Sequence, residues 1–90
     1  SFVIPTYNSS LKTVNCINSI LKIKDVDNLH YEIIIVDDSS SNDEFSNLNK
    51  KIQLFKHSHI YVYRNEKNMG PAVSRNFGVK IATVREVLSP

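Results

Sequence analysis

The sequence lacks the features that several classes of protein require. Its 90 residues include one cysteine, Cys16, so an internal disulfide is excluded, which is typical of a reducing compartment. The longest apolar run, residues 33–36, is far shorter than the about 20 residues that span a bilayer. The eleven basic and nine acidic residues are scattered and form no basic block that would bind nucleic acid. We therefore expect a cytoplasmic protein with no membrane span and no nucleic-acid partner.

The length fits at most one small domain, since domains typically contain about 100 to 150 residues. The sequence starts at Ser1, and the apolar residues that follow it already have the character of a strand. We therefore expect residues 1–90 to form part of one domain, trimmed at its start and without a leader segment.

Apolar periodicity predicts strands that alternate with helices. Short apolar or β-branched runs predict three strands, at residues 2–4, 31–36 and 60–63. Pro5 is expected to end the first of them. Apolar residues at helical spacing predict three helices, at residues 11–24, from 41 to about 51 and from 71 onward. Ser41 and Glu44 have the spacing of a capping box, and Pro71 suits a first helical position.

The same spacing predicts which helix faces are buried. In the first helix one face collects the apolar residues Leu11, Val14, Ile17, Ile20 and Leu21. In the third helix the inner face is predicted to consist of Val73, Phe77 and Ile81. Gly78 is expected to let this helix pack closely.

The alternation predicts an α/β fold with a Rossmann-like parallel sheet and right-handed crossovers. In such folds ligands bind outside the carboxyl ends of the strands. The loops after the first two strands are therefore the first candidates for a site. They contain Pro5, Thr6, Tyr7 and Asn8, and Asp37, Asp38 and Ser39.

Asp37 and Asp38 are adjacent carboxylates at the end of a buried strand. They repel each other and lose solvent, so a cation, a hydrogen-bond donor or a helix terminus has to compensate. One interpretation is a ligand site. The alternative is that one carboxylate faces the helix that begins near Ser41 while the other is solvated, and the two residues alone leave both interpretations open.

The segment before the third helix is the second informative stretch. Gly70 allows a conformation that most residues avoid, and Arg75 lies one turn into the helix that Pro71 begins. Its position near a helix N-terminus favours anion binding. An ordinary surface arginine is the alternative.

Three blocks of the sequence, residues 2–8, 31–43 and 64–78, together resemble the N-terminal half of family 2 glycosyltransferases. The resemblance implies a partial GT-A nucleotide-binding domain and a nucleoside diphosphate sugar donor, most often a uridine one. It also implies hexosyl transfer to a glycan or another acceptor, as in polysaccharide biosynthesis. The nucleotide-binding residues that it implies are Pro5, Thr6, Tyr7, Asp37, Asp38, Asn68, Gly70 and Arg75.

Within this implied set, Asp38 is assigned to the base, with Asp37 in support and Tyr7 beside the uridine. The chemistry agrees, because a carboxylate can only accept hydrogen bonds. It can pair with the imide N–H of uracil, whereas the lone pair of cytosine at the same position repels it. Tyr7 offers a flat face for stacking and a hydroxyl group.

The sequence departs from the family in its acidic residues. The resemblance leads us to expect an Asp-x-Asp motif after the third helix, holding a divalent Mg or Mn ion across the diphosphate. The last aspartate in the sequence is Asp43, so neither the metal ligands nor a catalytic base is present. We therefore expect the complete enzyme to need the cation, and these 90 residues alone to be inactive.

Alternatives to a donor-binding domain stay open at this stage. The chain could be a noncatalytic nucleotide-binding or structural remnant. A response-regulator receiver also has an acidic pair after a strand, but it requires a further aspartate about 40 residues on, and none follows Asp43.

A short parallel sheet with an open edge is also expected to self-associate.

Overall fold

The computed structural model describes residues 1–23, 32–55 and 59–88 of the chain. Strands and helices alternate along it, in the order β1 (Phe2–Thr6), α1 (Ser10–Ile23), β2 (Ile33–Asp37), α2 (Asn42–Gln53), β3 (Ile60–Arg64) and α3 (Pro71–Leu88). The predicted order of elements is confirmed. The predicted helix end at Lys24 and strand start at Tyr31 lie outside the described residues. Within the described ranges, no helix combines the length and the apolar character needed to cross a bilayer.

The three strands form one parallel sheet in the order β1-β2-β3. This arrangement confirms the predicted Rossmann-like α/β fold. The register sets Thr6 beside Asp37 and Asp37 beside Arg64 at the carboxyl ends of the strands. Because the strands are parallel, the loops that follow them emerge at the same edge of the sheet.

β2 is the centre of the fold, and all five of its residues are buried. Its isoleucines alternate between the two faces of the sheet. On one face Ile33 and Ile35 pack with Ile17 of α1 and Leu48 of α2. The burial of each such side chain stabilises the fold by about 1.5 to 3 kcal/mol. The apolar run at residues 33–36 therefore has the role that its composition predicts for a strand covered on both sides.

The opposite face of the sheet is covered by α3, which approaches β1 and β2 closely at Gly78. A Cβ atom at Gly78 would overlap Val3 Cγ1 and would lie 3.2 Å from Val36 Cγ2. The prediction that Gly78 permits close packing is confirmed.

The predicted inner face of α3 is wrong at two of its three residues, where the buried residue lies one position later. Val73 and Phe77 are 45% and 42% exposed, while Ser74 and Gly78 are buried and Ile81 is half-buried. Small residues bring the helix axis close to the sheet, so they occupy the centre of the contact and the larger apolar residues move to its flanks. Apolar spacing cannot detect a buried face made of serine and glycine.

A similar shift occurs in α1, where Leu11 is exposed although its spacing predicts burial. Thr13 is buried instead, and its hydroxyl donates a hydrogen bond to Thr6 Oγ1 at 2.7 Å. The first turn of α1 therefore meets the end of β1 through polar side chains. Of the other predicted apolar residues of this face, Ile17 is buried in the core, and Val14, Ile20 and Leu21 are partly buried and pack against it.

Pro5 does not end the first strand, because it pairs with Val36 inside β1. The backbone explains why proline is tolerated there. Phe2 N–H and Thr6 C=O both bond towards β2, so by alternation the backbone of Pro5 faces away from β2, where no ladder donor is required. β3 likewise extends one residue further than predicted, to Arg64.

Candidate functional site

The end of β1 contributes two residues to the edge where the strands end. Thr6 is buried, with its hydroxyl bonded to Thr13, and its carbonyl oxygen accepts from Asp38 N at 2.8 Å. Tyr7 follows, and it is 51% exposed. Of the predicted trio of Pro5, Thr6 and Tyr7, Tyr7 is therefore the residue with a large accessible side chain.

Asp37 is the last residue of β2 and lies against the loop to α2, with 1% of its surface exposed. Its carboxylate accepts from Ser40 N at 3.0 Å and from Ser40 Oγ at 2.5 Å. Arg64 compensates the charge, with its Nε 3.4 Å from Asp37 Oδ2. These contacts give Asp37 a supporting position behind the loop.

Arg64 also joins this loop to α2. Its Nη2 donates to the carbonyl oxygen of Ser40 at 2.6 Å, and its guanidinium lies over the ring of Phe45, 4.5 Å from the centroid. Arg64 therefore fixes both the carboxylate of Asp37 and the loop backbone after it. The sequence reasoning assigned no role to this residue.

Asp38 faces the opposite direction and binds the segment before α3. Its carboxylate accepts from Met69 N at 2.7 Å, from Gly70 N at 2.8 Å and from Asn65 Nδ2 at 2.9 Å. It is 3% exposed. The alternative in which one of the two aspartates is solvated is therefore wrong, since both are buried and both are bonded.

The charge state of Asp38 follows from these contacts. Burial alone would raise the pKa of this carboxyl, but hydrogen bonds from Asn65, the Met69 and Gly70 amides and Ser74 outweigh burial and lower the pKa below its usual value. Asp38 is therefore ionised at neutral pH. An ionised carboxylate is an acceptor only.

The loops after β1 and β2 are bonded directly to each other. Asn8 N donates to Ser40 Oγ at 2.8 Å, and Ser41 N donates to Asn8 Oδ1 at 2.9 Å. Asn8 and Ser39 have φ angles of 46° and 61°, in the left-handed region that few residues other than glycine adopt. Strained backbone of this kind persists where surrounding contacts hold it, often at functional sites.

One half of the predicted capping box is present. Ser41 Oγ accepts from Glu44 N at 3.3 Å and caps α2. The reciprocal contact is absent, because Glu44 Oε2 accepts from Ser10 N at 3.2 Å, at the start of α1. Ser41 N bonds to Asn8 instead. Glu44 thus links the beginnings of two helices.

Three of the predicted site residues lie just before α3 or within it. Gly70 has a φ of 90°, which requires glycine, and its amide bonds to Asp38. Asn68 is exposed, with its Nδ2 3.4 Å from the carbonyl oxygen of Asp38. Arg75 is exposed one turn into α3, and its guanidinium has no hydrogen bond or ion pair within the described parts of the chain.

Sequence reasoning missed the residues that connect these loops, above all Asn65. Its side-chain Nδ2 donates to both Asp38 Oδ1 and Ser74 Oγ at 2.9 Å. Its backbone N–H donates to the carbonyl oxygen of Asp37. A signal was available, because Asn65 directly follows β3 and the rule that strand ends carry sites applies to all three strands.

The acidic residues within the described ranges do not fit a metal ion. In residues 1–23, 32–55 and 59–88 no three histidine, cysteine, aspartate or glutamate side chains converge on one point. Asp37 is paired with Arg64, and Asp38 is occupied by amide donors.

Comparison with known proteins agrees with this architecture. Glycosyl transferase family 2 matches residues 1–88. A Rickettsia felis protein named as an uncharacterized glycosyltransferase is 37% identical over 84 residues, which are 91% of this chain and 12% of that protein. A Bacillus spizizenii protein named poly(ribitol-phosphate) beta-glucosyltransferase is 32% identical over 88 residues, or 98% of this chain and 14% of that protein. The chain thus spans 12% to 14% of the length of these curated relatives, and it belongs to glycosyl transferase family 2.

Proposed function

We propose that the chain is the donor-binding part of a glycosyltransferase and that it binds a uridine diphosphate sugar where the parallel strands end. One observation carries the proposal: Asp38 joins the end of β1 to the segment before α3. Its amide bonds to Thr6, and its carboxylate bonds to Met69 and Gly70. The three loops therefore meet at Asp38, and the exposed residue Tyr7 directly follows Thr6, whose carbonyl oxygen accepts from the Asp38 amide.

The base is recognised by Tyr7 and Asp38 in this proposal. Tyr7 provides an accessible aromatic face for stacking. Asp38 is ionised and so accepts the imide N–H of uracil, which takes the place of one of its present donors. Cytosine would displace the same donor but presents a lone pair at that position, so the carboxylate loses one hydrogen bond without replacement, at a cost of about 1 to 3 kcal/mol.

The diphosphate is proposed to lie towards α3, near Asn68, Gly70 and Arg75. The guanidinium of Arg75 is exposed near the start of that helix and has no partner among the described residues. An arginine in this situation suits a phosphate group, which it can bind through two parallel hydrogen bonds. The described acidic residues do not fit a divalent cation, so we propose that any cation is held by other residues of the complete enzyme.

The acceptor and the transfer step concern the complete enzyme. The Bacillus spizizenii relative is named for glucosyl transfer to poly(ribitol phosphate). That name supports a glycan or another polymer as the acceptor class, and a role in polysaccharide biosynthesis. In this proposal the 90 residues bind the donor, and the remaining steps require further residues.

A titration of the isotope-labelled chain followed by NMR tests the proposal. We expect uridine diphosphate to shift the amide signals of Tyr7, Met69 and Gly70, and to bind about tenfold to a hundredfold more tightly than cytidine diphosphate. Asp38→Asn should abolish this preference. Asp43→Asn, the same change at an exposed position of α2, should preserve it. Equal affinities for the two nucleotides in the wild-type chain, or a preference that survives Asp38→Asn, would contradict the proposal.

A further inference from the structure

The Ser40 side chain lies between two groups at the carboxyl edge of the sheet. It is 4% exposed. Its hydroxyl donates to Asp37 Oδ1 at 2.5 Å and accepts from Asn8 N at 2.8 Å. Ser40 therefore connects the buried carboxylate after β2 to the backbone of the loop after β1.

The direction of these two hydrogen bonds is fixed by chemistry. Arg64 pairs with Oδ2 of Asp37, and a carboxylate in an ion pair can only accept hydrogen bonds. The Ser40 proton must therefore point at Asp37, and a lone pair of the same oxygen remains for the Asn8 amide. A hydroxyl is the smallest side-chain group that can donate and accept at once in this position.

Tyr7 is bounded on both sides by residues that these contacts hold. Before it, the carbonyl oxygen of Thr6 accepts from Asp38 N. After it, Asn8 adopts the left-handed conformation, with its amide bonded to Ser40 and its side chain bonded to Ser41. A φ of 46° at Asn8 turns the chain sharply, and it costs energy unless contacts maintain it.

We propose that Ser40 is a positioning residue for the nucleotide site: by holding the Asn8 amide, its hydroxyl fixes Tyr7 in the orientation that binds the base. This inference rests on the proposed nucleotide-binding function. It assigns the effect of Ser40 to Tyr7 and not to overall stability.

The neighbouring residue Ser41 offers a matched control. Ser41→Ala removes the hydroxyl that caps α2, but it leaves the backbone amide that bonds to Asn8. Ser40→Ala removes a hydroxyl of the same size one residue earlier, and with it the acceptor of the Asn8 amide. Both variants lose one hydrogen bond from a backbone N–H group, but Ser40→Ala also loses the hydrogen bond to the buried carboxylate of Asp37, so it is expected to lose more stability than Ser41→Ala.

The first measurement uses no ligand. Amide hydrogen exchange and NMR spectra of the 90-residue chain report on the Asn8 amide and on the Tyr7 ring. We expect Ser40→Ala to accelerate exchange at Asn8 and to shift the Tyr7 ring signals, and Ser41→Ala to leave both unchanged. Ser40→Thr retains the hydroxyl and should restore the wild-type values. Unchanged Asn8 exchange and Tyr7 signals in Ser40→Ala would overturn the inference, whatever the outcome with nucleotide.

The second measurement is a double-mutant cycle with uridine diphosphate. Ser40→Ala should weaken binding about fivefold to tenfold, the loss expected for one hydrogen bond. In a Tyr7→Ala background the same substitution should have no further effect, because the ring that Ser40 orients is absent. An equal effect in both backgrounds would overturn the inference. If the wild-type chain does not bind the nucleotide, the proposed function fails while the ligand-free result still judges the role of Ser40.

A second substitution protects the test against misfolding. Ser40→Cys is close in shape, and its thiol is a weak donor and a weak acceptor. We expect it to fold and to show the same changes at Asn8 and Tyr7 as the alanine variant, to a smaller extent. Wild-type exchange at Asn8 in the cysteine variant would count against the hydroxyl as the holding group.

Discussion

Gly78 gives the sharpest test of how α3 is seated on the sheet, because two opposing effects meet at this residue. Alanine is preferred over glycine inside a helix by about 0.8 to 1.0 kcal/mol, so Gly78→Ala would stabilise an exposed helix. Here the new Cβ would overlap Val3 Cγ1 and lie 3.2 Å from Val36 Cγ2. The sign of the change in the free energy of unfolding depends on which effect is larger.

The contacts of the added Cβ atom predict that Gly78→Ala destabilises the fold. Overpacking of a core typically costs about 1 to 3 kcal/mol. Val3 and Val36 are branched at Cβ and have few alternative rotamers, and both lie on paired strands of the sheet. Relief therefore requires movement of α3 as a whole. We place the cost of overpacking in the upper half of that range, which leaves a net loss of about 1 to 2 kcal/mol for Gly78→Ala after the helix preference is subtracted.

Urea unfolding followed by circular dichroism measures this change. Asn76→Ala, at an exposed position of the same helix, is the control and should stabilise the chain by a few tenths of a kcal/mol. In a Val3→Ala background the overlap disappears, and Gly78→Ala should become neutral or stabilising. A stabilising effect of Gly78→Ala in the wild-type background would refute the close approach of α3 to β1.

Four further predictions concern the edge of the sheet. The lowered pKa of Asp38 means that the folded state binds this proton less readily than the unfolded state. The ionised carboxylate therefore contributes stability that is present above the unfolded pKa of about 3.9 and is lost as pH falls through the lower folded pKa. Asp38→Asn should reduce this loss in unfolding measurements made as the pH is lowered below about 4. Arg64→Met leaves the buried carboxylate of Asp37 without its cation. Because the Arg64 side chain is 34% exposed, we expect the free energy of unfolding in urea to fall by about 2 kcal/mol, less than for a fully buried pair. No loss would mean that the Ser40 donors are enough to stabilise the Asp37 carboxylate. Arg75→Gln should weaken binding of uridine diphosphate about tenfold in calorimetry and leave uridine binding unchanged, because a charge-assisted phosphate contact contributes about 1.5 to 3 kcal/mol. Equal losses of affinity for the two ligands would show that Arg75 does not bind the diphosphate. The 90 residues alone should not transfer sugar from uridine diphosphate sugars with Mg or Mn present, and turnover in a chromatographic assay would contradict the assignment of catalysis to further residues.

The fold could be predicted from the sequence because its signals are local. Residues 33–36 are all apolar, so a buried strand can be predicted there without knowing which elements cover it. Pro71 indicates the start of a helix because its fixed φ angle suits the first helical position. The buried face of α3 could not be predicted in this way. Ser74 and Gly78 are buried because α3 approaches β1 and β2 closely, and that approach is a property of the packing and not of the helix.

The location of the candidate site could be predicted for the same reason, because the ends of parallel strands always share an edge. The contacts within it could not. Asn65 and Asp38 are 27 residues apart in sequence, and Asn8 and Ser40 are 32 apart. No periodic pattern encodes such pairs. Each depends on the register of the sheet, which brings Thr6, Asp37 and Arg64 side by side.

The acidic residues at this edge already accept hydrogen bonds from backbone amides of the protein. Asp38 binds the amides before α3, and Glu44 binds the amide of Ser10 at the start of α1. Both helix N-termini therefore already have an anion, and the attraction that a free N-terminus would offer a diphosphate is largely neutralised. An anionic ligand at this edge consequently requires additional positive charge. Arg75 supplies such a charge without a partner among the described residues, which is why its substitution should separate binding of the diphosphate from binding of the base.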